Sequence, residues 1–290
     1  MKVLGVGIAT LDIINSVDGY PVEDSEVRVV QQRKSCGGNS ANTLRVLNRL
    51  GHHCCWAGTL ADDAASDIVR QQLRCESIDI ENAKVVEGAS LPTSYIILNT
   101  ENGSRSIVHY RDLPEYNSES FEKIDFDEFD WVHFEGRNIA ELEKMMQHLL
   151  SRNFHLFSLE IEKPREGIEA LFTLPQVLIF SRHYLHHVHK GVKDFFEDLR
   201  NDGIKAELYC AWGKGGGWAM DKQGKLYQQP AWKPQTVVDT LGAGDAFNAG
   251  IIDSLLNELK VGQVLANACK VAGFKCGLQG FDGIDQVWTA

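Results

Sequence analysis

The stretch Val237-Val238-Asp239-Thr240-Leu241-Gly242-Ala243-Gly244-Asp245-Ala246-Phe247 divides into three pieces. Val237 and Val238 close an extended, β-branched segment, Asp239 to Gly244 form a turn of small residues, and an amphipathic helix begins at Ala246. Phe247, Gly250, Ile251, Ser254 and Leu255 fall on one face of that helix. A glycine turn opening a helix leaves backbone N–H groups unpaired at the positive end of the helix dipole, which makes an anion site, most often for phosphate. Asp245 stands beside that site. A carboxylate there repels a phosphate unless its charge has a use, and taking a proton from a hydroxyl that attacks phosphorus is the use that fits. An ordinary αβ turn with Asp245 as its cap fits the same residues, because short glycine motifs also recur without function.

Working outward, a second glycine run, Gly213-Lys214-Gly215-Gly216-Gly217, follows a strand at Ala206 to Trp212. No Gly-Lys-Ser/Thr closes it, so it is not a Walker loop. It suits close approach of a nucleotide or phosphate, or is a plain flexible turn. A third run, Cys36-Gly37-Gly38-Asn39-Ser40-Ala41-Asn42, opens a helix with Ala41, Leu44, Leu47 and Leu50 inward and Gly51 as its stop. Asn39 and Asn42 lie three apart on its first turn, and both can donate and accept, as a polyol ligand requires. Asn39 also fits as a simple helix cap. Asp12 follows a strand from Val3 to Ala9, and ligands of open α/β sheets collect at strand ends. Gly5 and Gly7 make no dinucleotide fingerprint, since Thr10 stands where the third glycine belongs.

Elsewhere strands alternate with helices: Cys55 to Gly58, Trp131 to Phe134, Phe157 to Ile161 and Val177 to Phe180 are extended. Helices are expected from Ala61 to Arg74, from Asn138 to Leu150 with Glu141 completing a capping box, up to about Arg200, and from Val261 to Lys275. The alternation implies a largely parallel sheet covered on both faces. Two segments break it. Residues 13 to 35 contain a strand-like Val27-Arg28-Val29-Val30, and Asn102-Gly103 between Tyr95-Ile96-Ile97-Leu98 and Ile107-Val108-His109-Tyr110 signals a hairpin. Together they read as a small β lid, about 13–35 and 91–114, inserted in a single domain spanning 1–290. His183 and His187 are spaced to share a metal, but no acidic partner stands at a zinc-protease spacing, and a solvated helix face fits equally.

A chain of 290 residues with 43% apolar and 24% charged residues has ample core, and its net charge of -11 argues against nucleic acid or anionic membrane as a partner. The first apolar run is too short to span a membrane. Seven cysteines, odd in number and without a C-x-x-C pair, fit reduced thiols in a cytoplasmic protein.

Asp239-Thr240-Leu241-Gly242-Ala243-Gly244-Asp245 resembles the second signature of the ribokinase-like carbohydrate kinase family, and Gly37-Gly38-Asn39-Ser40-Ala41-Asn42 resembles its first. The blocks Glu162-Lys163-Pro164-Arg165-Glu166 and Lys275-Cys276-Gly277-Leu278-Gln279-Gly280-Phe281-Asp282-Gly283 are similar to the branch of that family that phosphorylates ketohexoses. The resemblance implies a three-layer α/β/α sandwich with a β-sheet lid that clasps a second subunit in a homodimer. It also implies ATP and Mg²⁺ as co-substrates, a potassium ion as a further candidate, and transfer to O1 of D-fructose. Another sugar or sugar-acid kinase of the family, or a sugar- or nucleotide-binding regulator of the same fold, is the alternative.

By that resemblance Asp12, Gly38, Asn39 and Asn42 contact the sugar, and Asp24 reaches it from a partner subunit. Arg105 reaches the ATP phosphates from the lid. Gly213, Lys214, Gly215, Gly216 and Trp232 line the adenosine side, with Cys269 and Cys276 on the adenine wall. Gly242, Ala243 and Gly244 form the anion hole, and Asp245 is the base. Two places depart from the pattern. Ser181-Arg182-His183-Tyr184 replaces the Asn-x-x-Glu of many members, so no metal ligand is assigned and Mg²⁺ arrives with ATP. Lys214 stands in the nucleotide loop where the ketohexose branch carries acidic residues.

Overall fold

A computed structural model describes residues 1–289. The strands are β1 Lys2–Val6, β2 Thr10–Val17, β3 Gln31–Gly37, β4 His53–Ala57, β5 Thr59–Ala61, β6 Lys84–Val86, β7 Thr93–Asn99, β8 Arg105–Tyr110, β9 Trp131–Glu135, β10 Phe157–Ile161, β11 Val177–Ser181, β12 Glu207–Ala211, β13 Gly217–Met220 and β14 Leu226–Gln229. The helices are α1 Asn39–Arg49, α2 Ala64–Cys75, α3 Ser118–Phe121, α4 Ile139–Ser151, α5 Arg182–His187, α6 Val192–Asn201, α7 Ala243–Leu256 and α8 Val261–Cys276.

An eight-stranded sheet in the order β14-β13-β12-β11-β10-β9-β1-β4 forms the middle layer, parallel except for β13, which runs antiparallel to both of its neighbours. β9, β10 and β11 are buried on both faces; β11 reads as a near-continuous apolar run, whereas β9 carries His133 and Glu135 and β10 carries Ser158 and Glu160. One core packs residues of α1, α2, α7 and α8 against one face; Phe134, Phe157, Phe180 and Phe196 belong to the other, beneath α4, α5 and α6. This is the α/β/α sandwich expected from the alternation.

The lid is a separate four-stranded sheet, β3-β2-β7-β8. The Asn102-Gly103 hairpin forms, with β7 and β8 antiparallel and Gly103 at φ 70°. In register, Asp12, Ser94 and His109 share the face turned to the main sheet, whereas Ile13, Tyr95 and Val108 share the other.

Several local expectations need correction. Val27 to Val30 form no strand; the strand lies just beyond, at Gln31–Gly37, because the ladder with β2 decides it rather than β-branching. Val237 and Val238 are likewise irregular and exposed. The helix after the glycine turn starts at Ala243, three residues early, and is not amphipathic: Asp245 to Ser254 are all buried, because α1 and α8 pack against it in addition to the sheet. No capping box forms at Asn138, since Glu141 instead accepts hydrogen bonds from Ser118 N–H (2.7 Å) and Oγ (2.8 Å). The helix at Ala61 begins later, at Ala64, capped by Asp63. The stretch up to Arg200 is two helices rather than one. His183, His186, His187 and His189 are exposed, and among the described residues no group of three or more His, Cys, Asp or Glu is arranged to hold a metal. All seven cysteines are free, and no helix among the described residues is long and apolar enough to cross a membrane.

Candidate active site

A cavity of about 610 Å³ opens at the carboxyl ends of β1, β9, β10, β11 and β12, roofed by the lid. That is where an open parallel sheet gathers ligands. The turn before α7 forms one wall. Gly242 takes a left-handed conformation at φ 75°, and a Cβ there would sit 2.6 Å from Cζ of Phe281, so only glycine fits. Ala246 N–H makes a hydrogen bond to Gly242 O at 2.9 Å. The amides just before Ala246 lie at the helix N-terminus, where N–H groups have no helical partner. A Cβ on Gly244 would meet nothing within 4 Å, so the turn borders open space.

Asp245 reaches into the cavity from the first turn of α7 and is 7% exposed. Its Oδ2 accepts a hydrogen bond from Asn42 Nδ2 at 2.8 Å, and its backbone carbonyl accepts one from Thr43 Oγ1. Burial pushes its pKa well above the usual carboxylate range; Asn42 opposes that shift, and the charges of Glu162, Glu135 and Asp12 add to it. Asp12 is also raised by burial, although Thr10 Oγ1 donates to it at 2.9 Å. It lies within β2 rather than at the end of β1. Asn39 is the first residue of α1, Gly38 being the cap, so the simple capping reading fails. Its Nδ2 donates instead to Glu160 Oε1 (3.2 Å) and Glu162 Oε2 (3.1 Å). Arg105 enters from the start of β8, with Nη1 donating to Thr240 Oγ1 at 3.3 Å.

The cavity thus brings together Asp12, Gly38, Asn39, Asn42, Arg105, Gly242, Ala243, Gly244 and Asp245. It does not include Asp24, Gly213, Lys214, Gly215, Gly216, Trp232, Cys269 or Cys276. Asp24 stands exposed on the β2–β3 loop at φ 60°. Gly213–Gly215 form a single 3₁₀ turn just past Ala211, which does line the cavity, and Lys214 is exposed. Trp232 packs on Phe274, 5.8 Å between ring centres. Cys269 is buried beneath Gly217, and Cys276 is half-buried at the end of α8.

The site also holds residues that motif reading missed: Glu135, Glu160, Glu162, Arg137 and Asn248. Period-2 alternation was their signal, since Glu135 and Glu160 alternate with apolar neighbours at two adjacent strand ends. Asn248 follows Asp245 by three residues on one helix. Glu135 Oε2 accepts from Ile8 N–H at 3.0 Å, and Arg137 lies 3.4 Å from its Oε1.

A glycine turn opening α7 and the buried carboxylate Asp245 in the first turn of the same helix, side by side on one wall of a polar cavity, fit a phosphotransferase with an alcohol acceptor. The chain belongs to the pfkB family of carbohydrate kinases, whose family model matches residues 1–284. It is 40% identical over 295 residues to a ketohexokinase of Mus musculus, covering 98% of each chain. It is 25% identical to an ATP-dependent ribose-1-phosphate kinase of Halopiger xanaduensis, over 93% of this chain and 90% of that one. Among solved structures, ribokinase from Thermotoga maritima superposes with a TM-score of 0.79 at 17% identity, covering 99% of both chains. Arabidopsis thaliana ribokinase complexed with ribose and ATP superposes with 0.78 at 16% identity, over 96% and 94%. The fold is ribokinase-like, and the protein is a sugar kinase.

Proposed function

We propose that this kinase transfers the γ-phosphoryl group of ATP to O1 of D-fructose, giving fructose 1-phosphate and ADP. The observation that carries the sugar assignment is the 40% identity, end to end, with a ketohexokinase. Asp12, Gly38, Asn39 and Asn42 hold the sugar in this reading. Asp245 takes the proton of the attacking hydroxyl, and its raised basicity suits that task. Phosphoryl transfer asks the protein chiefly for alignment and for positive potential on the equatorial oxygens. The amides of Gly242, Ala243 and Gly244 with the α7 dipole supply that potential, and Arg105 adds charge from the lid.

Gly213, Lys214, Gly215, Gly216, Trp232, Cys269 and Cys276 carry the adenosine end, beyond Ala211. Kinases of this family use ATP with Mg²⁺. In this reading Mg²⁺ arrives on the nucleotide, held chiefly by its phosphates. Asp24 acts across a homodimer formed through the lid.

Coupled measurement of ADP across fructose, ribose, sorbose, tagatose and keto-gluconate, with and without K⁺, tests the reading. Fructose is expected to give the highest kcat/KM. ADP release with another sugar and none above background with fructose overturns the substrate assignment.

A further inference from the structure

Four carboxylates crowd the floor of the cavity, and their surroundings differ. Glu135 has Arg137 3.4 Å from Oε1 and the Ile8 N–H on Oε2. Asp245 has the Asn42 amide. Glu162 is half-exposed and has Lys163 3.7 Å away. Glu160 has none of these. It is 6% exposed, Oε1 shares the Asn39 amide with Glu162, and Oε2 is buried with no hydrogen-bond partner. A buried carboxylate without a cation, and with one oxygen unsatisfied, is among the least stable arrangements a protein interior offers. Two like charges facing one another in such a site do not both persist.

We propose that Glu160 is a positioning residue that carries a proton on Oε2 in the working enzyme. That proton leaves Asp245 as the charged member of the pair, free to accept the hydroxyl proton, while Oε1 fixes the Asn39 amide so that its Oδ1 is presented to the sugar. This rests on the assignment of Asp245 as the base. The groups facing Glu160 agree with it. Burial pushes the Glu160 pKa well up, and the charges of Asp245 from α7, Glu162 from just past the end of β10 and Glu135 from β9 add to it. The Asn39 amide on Oε1 and the nearby Asn248 amide, from α7, pull the other way without reversing the shift. Asn248 Nδ2 is itself buried without a hydrogen-bond partner. Arg137, Lys163 and Arg165 line the same cavity. Arg137 binds Glu115 and Glu135, Lys163 lies by Glu162, and Arg165 donates to the Gly136 carbonyl.

The test compares Glu160→Gln, which mimics the protonated acid, with Glu160→Ala. Infrared spectra of the ¹³C-glutamate-labelled protein, at the pH of maximal turnover, are expected to show the C=O stretch of a protonated carboxyl in the parent that is missing in Glu160→Gln. Glu160→Gln is expected to keep kcat and the acid limb of the kcat–pH profile. Glu160→Ala is expected to raise the sugar KM by about tenfold, since Asn39 loses one of its two carboxylate anchors. Absence of the band in the parent overturns the proposal. So does an acid limb that moves to lower pH in Glu160→Gln, because that variant would then have removed a charge beside Asp245. The infrared arm needs no sugar, so a wrong substrate assignment and a wrong proton assignment fail separately.

Discussion

Lys275 Nζ, wholly buried, lies 2.7 Å from the backbone carbonyl of Asp239 and 3.3 Å from its carboxylate. With the Val238 and Asp239 N–H groups that donate to the Cys276 carbonyl, these contacts tie α8 to the start of the glycine turn. Arg33 of the lid reaches the same carboxylate at 3.2 Å, and Leu241 and Gly280 donate backbone N–H groups to it. Burial works against the Asp239 charge, but Lys275, these amides and Arg33 more than offset it and hold the carboxyl below its usual range. Lys275 is pulled below its own usual range by burial, which outweighs its partner. The pair therefore acts as a brace for the turn, and the lid is fastened to the same point.

Removing Lys275 takes away the buried cation of the pair and leaves the Asp239 carboxylate with the partly exposed Arg33 as its cationic partner. Lys275→Met is expected to cost about 3–5 kcal/mol of stability, measured by urea unfolding. Loss of turnover is expected to accompany it, because Gly242 to Gly244 depend on Asp239 for their placement. A variant as stable and active as the parent would show that the turn holds its shape unaided.

Asp245→Asn separates chemistry from binding. The amide keeps the size and the contact with Asn42 but accepts no proton. Turnover is expected to fall by ~10²–10⁴-fold, the range a general base contributes, or further if alignment also suffers. Sugar binding, read by calorimetry, should survive. Turnover within a few-fold of the parent would return Asp245 to the role of a helix cap.

The same group sets pH dependence. Asp12, Glu135, Glu160 and Asp245 all have carboxyl pKa values raised by burial. For activity, the base must be ionised, so kcat/KM should decline on acidification at a higher pH than an ordinary carboxylate gives. For stability the sign is opposite. A folded-state pKa above the unfolded one means that the native protein holds these protons more tightly. Their contribution is full below the unfolded value and is lost as pH rises through the folded value. Asp245→Asn should thus melt higher than the parent, with a gain that grows with pH. A difference that shrinks as pH rises contradicts the raised pKa.

The sheet and the glycine turn were legible because their signals are local: short segments with apolar residues at most positions for β9 to β11, and small residues before a helix for α7. What stayed hidden depends on partners far along the chain. Gln31–Gly37 is polar and becomes a strand only through its ladder with β2, whereas the β-branched Val27 lies in the loop before it and Val30 adds a single N–H to the Ser16 carbonyl where that ladder ends. Glu141 was free in sequence to cap its own helix, but Ser118 claims it. Glu160 looked like the end of a strand; its burial appears only once α7 and α1 close over it.

The lid carries the last prediction. Its inward face supplies Asp12, Ser94 and His109 to the cavity, while its outward face leaves Tyr95, Val108 and Tyr110 at 50%, 67% and 56% exposed. An apolar patch on a sheet face marks an association surface. Asp24 does not line its own subunit's cavity; it stands on the β2–β3 loop of the same sheet at φ 60°, a conformation that aspartate adopts more readily than most residues. If two lids pair, Asp24 of each is delivered to the sugar of the other. Val108→Lys is expected to convert a dimer to a monomer in sedimentation and to raise the sugar KM. Asp24→Ala should raise the KM alone, leaving the dimer and the melting temperature unchanged. A parent chain that sediments as a monomer, with a sugar KM indifferent to Asp24→Ala, would remove the clasp from the mechanism and leave the lid to close on its own subunit.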